Sequence, residues 1–132
     1  MIGIKGKFYV TTPIYYINYT PSVGSAYPTI AADVLARWHR ALGENVFFLT
    51  GLDENSAKTV QAAKEAGYKD IKKYTDDMAV KWIGVWKKLD ISNDDFIRTT
   101  EERHKKVVNE FSLEQMITKT EKVYKELLCH LG

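Results

Sequence analysis

The sequence predicts an α/β fold, a parallel sheet flanked by helices. Two short apolar runs, Lys7–Thr12 and Asn45–Thr50, are separated by one helix-length amphipathic segment, and a strand, helix, strand order of this size is the right-handed parallel crossover. Each run hands over to a polar loop, rich in Pro, Gly, Ser, Asn and Tyr after the first and reading Gly51-Leu52-Asp53-Glu54-Asn55-Ser56 after the second. In a parallel sheet such loops lie at the carboxyl ends of the strands, where the free N–H groups and dipole of the next helix seat an anion. The chemistry is expected there.

The first strand is rich in β-branched and aromatic residues and stops at Pro13, a composition that suits burial on both faces. From Ser25 onward Ala26, Ile30, Val34 and Trp38, with Ala31, Leu35 and Leu42, recur at helical spacing and define the face that this helix is expected to bury. Pro28 is tolerated in its first turn and Gly43 stops it. After the second strand, Ala57–Ala66 forms a helix ending at Gly67. Asp70 is placed to cap a third helix, on which Met78, Trp82, Val85, Trp86 and Leu89 make a broad aromatic face. Asp95–Thr100 is a third strand, and Glu101–Phe111 a charged helix starting from a Thr100 cap. Ser112–Gly132 reads as helical, with Leu113, Met116, Ile117, Thr120, Val123, Tyr124, Leu127 and Leu128 on one side.

A chain of 132 residues fits one domain with its own core. With 19 basic and 17 acidic residues, a net charge of +2 makes no electrostatic case for nucleic acid or an anionic membrane. The single cysteine, Cys129, leaves neither an intrachain disulfide nor a multi-thiolate zinc site, which suits a reducing compartment. No apolar run approaches the ~20 residues of a membrane span, so a soluble, cytoplasmic protein is expected.

Three stretches carry a resemblance. They are Thr11-Thr12-Pro13-Ile14-Tyr15-Tyr16 with Asn18 and the Pro21–Tyr27 turn; Ala31–Arg40 with Val46–Gly51; and Arg98-Thr99-Thr100-Glu101-Glu102-Arg103-His104. In order and spacing, from Phe8 to Phe111, they resemble the class I aminoacyl-tRNA synthetases of the methionyl family. The resemblance implies a Rossmann-like (HUP-type) half of a catalytic domain over residues 1–111, followed by a diverged helical tail over 112–132. It implies methionine–tRNA ligase chemistry, in which ATP with Mg2+ activates methionine and the methionyl group passes to tRNA, with no zinc site and no membrane partner. The family's Lys-Met-Ser-Lys-Ser loop and its anticodon-binding domain have no counterpart here. A missing synthetase half or subunit is therefore expected, and weak or no activity of the chain alone. A degenerate module that binds methionine or adenine nucleotide without catalysis is the alternative, and a remnant with a vacant pocket a third reading.

The resemblance also assigns residues. The family's His-Ile-Gly-His turn reads Ser22-Val23-Gly24-Ser25, which puts Ser22 and Ser25 at the catalytic positions. An imidazole there would steady charge growing on the phosphates; a serine offers one neutral donor in its place. ATP is implied at Tyr16, Asn18, Ser22, Gly24 and Ser25, and methionine at Pro13, Ile14, Tyr16 and Asp53, whose carboxylate would hold the ammonium. Leu52, Asn55 and Ser56 depart from the family's Gly-Thr-Asp-Glu-His-Gly run. From the residues alone, the Ser22–Ser25 turn is equally a plain helix cap, and Asp53 a cap for the helix that follows it. Tyr19 and Tyr27 read as core or lid packing, and Trp38, Trp82 and Trp86 as packing residues. His39 and His104 lie in solvated helical stretches without a second metal ligand.

Overall fold

The computed structural model describes residues 6–129, which divide between Thr99 and Thr100 into two compact units. In the first, four strands pair in parallel: β1 (Lys7–Thr11), β2 (Tyr15–Tyr16), β3 (Asn45–Asp53) and β4 (Asp95–Arg98). Between them run α1 (Val23–Ala41), α2 (Ala57–Glu65) and α3 (Ile71–Lys88). Gly43 and Gly67, both at positive φ, follow the ends of α1 and α2, as their positions in the sequence led one to expect. The second unit holds α4 (Glu102–Glu110) and α5 (Leu113–Cys129).

Every other strand pairs with β3. Leu49 pairs with both Thr11 and Asp95, and Leu52 with both Tyr15 and Arg98, so β1 and β2 follow one another along one edge of β3 and β4 takes the other. The register slips between β1 and β2: Lys7 lies opposite Asn45, 38 positions on, whereas Tyr15 lies opposite Leu52, 37 positions on. A slip of one residue turns every later side chain to the other face. Tyr15 and Ile17 are buried for that reason, although Tyr9 and Thr11, of the same parity, are exposed.

Val10, Val46 and Phe48 pack with Ala32 and Ala36 of α1, while Leu52 and Phe96 pack with Ala63 of α2 and with Met78, Trp82 and Trp86 of α3. All three helices thus lie on one face of the sheet. The other face presents Tyr9 stacked on Phe47, ring centroids 6.1 Å apart, both exposed. The expectation that the first strand is buried on both faces is corrected here, because no helix of this unit crosses to the second face. Among the described residues the outer edge of β1 has no strand paired to it either. Gly6 O accepts from Asn45 N and Thr12 N donates to Leu49 O, so the backbones of Lys7, Tyr9 and Thr11 turn away from β3.

A second correction concerns α1. Its buried residues are Ser25, Thr29, Ala32, Asp33 and Ala36, while Ile30, Val34, Leu35, Trp38 and Leu42, the face expected inside, are 43–63% exposed. Small side chains let the helix axis approach the sheet, and the polar ones are bonded. Thr29 donates to Ser25 O at 2.9 Å, and Asp33 Oδ1 accepts from the N–H and O–H of Ser92 at 2.7 and 2.6 Å. Burial works against the ionised Asp33, but the Ser92 bonds and the Arg37 guanidinium outweigh it and hold the carboxyl below its ordinary pKa. Tyr27 is 78% exposed, so it packs neither core nor lid.

Helix α3 follows expectation. Asp70 caps it by accepting from Lys72 N at 2.9 Å, and Trp82 and Trp86 are buried edge to face, with Tyr15 stacked on Trp82 at 5.2 Å. In the second unit Glu101, not Thr100, sits at the N-cap of α4. On α5, Leu113, Met116, Ile117, Val123 and Tyr124 are exposed. The side chains of Leu127 and Leu128 and the expected helical run through 130–132 lie outside the described residues. Among the described residues no helix is long and apolar enough to cross a membrane.

Candidate functional site

Tyr16 lies opposite Asp53 in the β2–β3 register, and Ile17 N donates to Asp53 O at 3.2 Å, so the first loop runs beside the carboxyl end of β3. Three anchors hold the loop. Thr12 and Thr50 share a hydrogen bond at 2.7 Å, and Trp82 Nε1 donates to Tyr19 O at 3.0 Å. Tyr15 Oη lies 2.8 Å from Thr29 Oγ1, whose own proton goes to Ser25 O, so Tyr15 is the donor and β2 is tied to the second turn of α1. The two polar loops of the sequence are thereby brought together, with the N-terminus of α1 beside them.

Ser22 is the N-cap of α1 and is exposed, which starts the helix at Val23, two residues before the sequence reading. Ser25 is 4% exposed; its hydroxyl accepts from Ser22 N and donates to Ser22 O, both at 2.9 Å. Its single proton is committed to the cap, whereas Ser22, whose part in a capping box is to accept, keeps its proton for another acceptor. At Gly24 an added Cβ would meet only Ser22 Oγ, at 3.6 Å. The fold does not require glycine there. It does at Gly51, where a Cβ would lie 2.2 Å from Ile97 O, so β4 is drawn tightly against the end of β3. Asn18 is half-buried and its Oδ1 is a buried acceptor without a partner among the described residues. Pro13, Ile14 and Tyr16 are exposed around the same opening.

Asp53 does not cap α2. Ser56 does, accepting from Thr59 N at 3.2 Å, while Asp53 Oδ1 accepts from Asn55 N at 3.0 Å and from Thr99 Oγ1 at 3.4 Å. Its Oδ2 has no partner among the described residues. Beside it, the wholly buried Glu54 carboxylate is bonded by Arg98 Nε at 2.6 Å, and Arg98 reaches Asp76 at 2.7 Å. Burial opposes the Arg98 charge, but its bonds to Glu54 and Asp76 prevail and raise its pKa; Lys72 and Arg98 together lower that of Asp76. Arg98, Thr99 and Glu54 had no assigned role in the sequence reading, although each sits within or beside a stretch that carried the resemblance. His39 is not simply solvated: it stacks on Phe8 at 3.5 Å and bonds to Glu44. Among the described residues no group of three or more His, Cys, Asp or Glu is placed to hold a metal ion.

A parallel half-sheet with helices on one face, and with a helix N-terminus, a spare carboxylate oxygen and an unpartnered amide oxygen at its carboxyl end, is the frame of a Rossmann-like α/β domain. The family model described as tRNA synthetases class I (M) matches residues 8–129, a span that continues past Phe111. The chain is 56% identical over 105 residues to a methionine–tRNA ligase of Thermotoga maritima, covering 80% of this chain and 16% of that protein. With a methionine–tRNA ligase of Listeria monocytogenes it shares 44% over 124 residues, 94% of this chain and 17% of the relative. A Mycobacterium tuberculosis methionyl-tRNA synthetase, solved in complex with methionyl-adenylate, superposes with a TM-score of 0.72 at 41% identity, covering 75% of this chain and 19% of that one. The chain belongs to the class I tRNA synthetases of the methionyl family. It spans about a sixth of the length of the curated relatives it matches.

Proposed function

We propose that this chain forms the first half of a methionine-activating catalytic domain, seating methionine and ATP at the opening between β2, β3 and the start of α1. The observation that carries the reading is the unfilled Asp53 Oδ2, opposite Tyr16 in the strand register. An α-ammonium satisfies that oxygen by a charge-assisted bond. Tyr16, Pro13 and Ile14 offer apolar surface for a thioether side chain. The space at Gly24 and the N–H groups of α1 suit phosphate, and the Asn18 acceptor suits a donor on the nucleotide. Mg2+ would arrive with the triphosphate rather than on a carboxylate cluster of this chain.

Catalysis is where the chain is weakest. With Ser25 committed to the cap, Ser22 is the one hydroxyl at the turn ready to donate, where the family's turn carries two imidazoles, and losing one donor to a developing oxyanion costs about 100- to 1,000-fold in rate. That favours, as the second reading, a module that binds methionine or adenine nucleotide with little turnover. Methionine-dependent exchange of labelled pyrophosphate into ATP separates them: measurable exchange supports the ligase half, and binding without exchange the module.

Transfer to tRNA, and full activity, call for a further polypeptide segment. In a doubly wound sheet the strand order reverses beside the first strand, and helices cover the second face. The open edge of β1, the exposed Tyr9–Phe47 pair and the exposed apolar stripe Val23, Tyr27, Ile30, Val34 and Trp38 of α1 support such a completion. Supplying the remaining catalytic segment of the Thermotoga relative in trans is expected to give a complex that co-elutes with this chain and raises exchange. Cytoplasm, with its ATP and tRNA, is the compartment this reading assigns.

A further inference from the structure

We propose that Thr99 is a positioning residue that holds the Asp53 carboxylate ready for a substrate ammonium, a step that rests on the methionine site proposed above. Thr99 is 5% exposed and bonded at every polar atom. Its N–H donates to Leu52 O at 3.1 Å and its carbonyl accepts from Asn55 Nδ2 at 3.3 Å, which fixes the backbone across the ends of β3 and β4. Its hydroxyl accepts from Glu54 N at 2.9 Å. That bond sets the orientation of Oγ1 and leaves its one proton directed to Asp53 Oδ1, 3.4 Å away. A β-branched side chain is restricted about its first torsion, which favours keeping this geometry.

The consequence is an asymmetric carboxylate. Oδ1 takes two neutral donors, Thr99 O–H and Asn55 N–H, and Oδ2 is left for a ligand. The adjoining Glu54 would otherwise compete for the same cation, but it is buried and bonded to Arg98. Of the two neighbouring acids, Asp53 alone presents an oxygen to an incoming ammonium. Arg98, the last residue of β4, and Thr99, which follows it, therefore divide the work: Arg98 engages Glu54, and Thr99 orients Asp53.

Calorimetric titration of Thr99→Val and Thr99→Ser with L-methionine and with its des-amino analogue, 4-(methylthio)butanoate, tests this. Thr99→Val keeps the shape and loses the hydroxyl, so methionine affinity is expected to fall about tenfold. Thr99→Ser is expected to stay within about twofold of the parent, and the des-amino analogue to bind all three proteins alike. Thr99→Ala makes the same test should the valine variant fail to fold. Equal methionine affinity for parent and Thr99→Val overturns the positioning role alone, as does an equal loss of both ligands, which marks a merely structural residue. A parent protein that binds no methionine overturns the site reading and this inference with it.

Discussion

Helices α1 and α3 are of nearly equal length, 19 and 18 residues, lie on the same sheet face and have comparably amphipathic sequences, yet they use their apolar residues in opposite ways. The aromatic side of α3 is in the core, with Trp82 and Trp86 at 0% and 2% exposure. In α1 the large apolar residues point outward, and the buried side is Ser25, Thr29, Ala32, Asp33 and Ala36, of which Ala32 and Ala36 pack on the sheet. Periodicity locates an apolar face but does not say what covers it. On α3 the partner is this unit's own sheet. On α1 the contact with the sheet is built from small and hydrogen-bonded residues, and the apolar stripe belongs to a surface that this unit leaves uncovered.

The contrast can be broken at its strongest point first. Trp82→Ala removes a buried ring that Tyr15, Tyr19 and Trp86 all contact and is expected to cost about 3–5 kcal/mol in chemical denaturation. A loss below ~1 kcal/mol would show that α3 is not the keystone described here. Thr29→Val tests the inner side of α1: it strands the Tyr15 hydroxyl in the core, with an expected cost of about 1–3 kcal/mol by the same assay. Asp33→Asn is expected to cost about 1–2 kcal/mol at neutral pH. Because the folded carboxyl titrates below its unfolded value of about 3.9, this contribution is present above about pH 4 and is lost as pH falls through the lower folded value. The denaturation midpoints of parent and variant should be well separated at pH 7 and approach one another as pH is lowered below about 4 through the folded carboxyl's value. Trp38→Ser, on the outer stripe, is expected to change stability by less than about 0.5 kcal/mol, while weakening association with a completing segment supplied in trans. A destabilisation of several times that size would mean the stripe has an intramolecular partner after all.

The element order was legible because its signals are local. Two β-branched runs, glycine stops at Gly43 and Gly67, the Asp70 cap and the aromatic face of α3 each follow from a few neighbouring residues. The buried side of α1 was not legible, because Ile30, Val34 and Trp38 satisfy the helical period as well as Ala32 and Ala36 do, and size rather than hydrophobicity decides which side can approach a sheet. The short β2 was missed since a one-residue slip after Pro13 changes which tyrosine is buried: Tyr15 enters the core and Tyr16 faces out. Of the site, Asp53 and the Ser22–Ser25 turn were picked out by resemblance. Their bonding was not, for the partners Thr99 and Arg98 lie more than 40 positions away from Asp53 and Glu54 and meet them only through strand pairing.

The central claim is that the opening beside Asp53 seats an amino acid next to an adenylate. Calorimetric titration with a non-hydrolysable methionyl-adenylate analogue tests it most directly. One-to-one binding by the parent chain, abolished in Asp53→Ala at an unchanged melting temperature, is the expected result. No binding by either the parent or the Ser22→His, Ser25→His variant, or an Asp53→Ala chain that fails to fold, would contradict it.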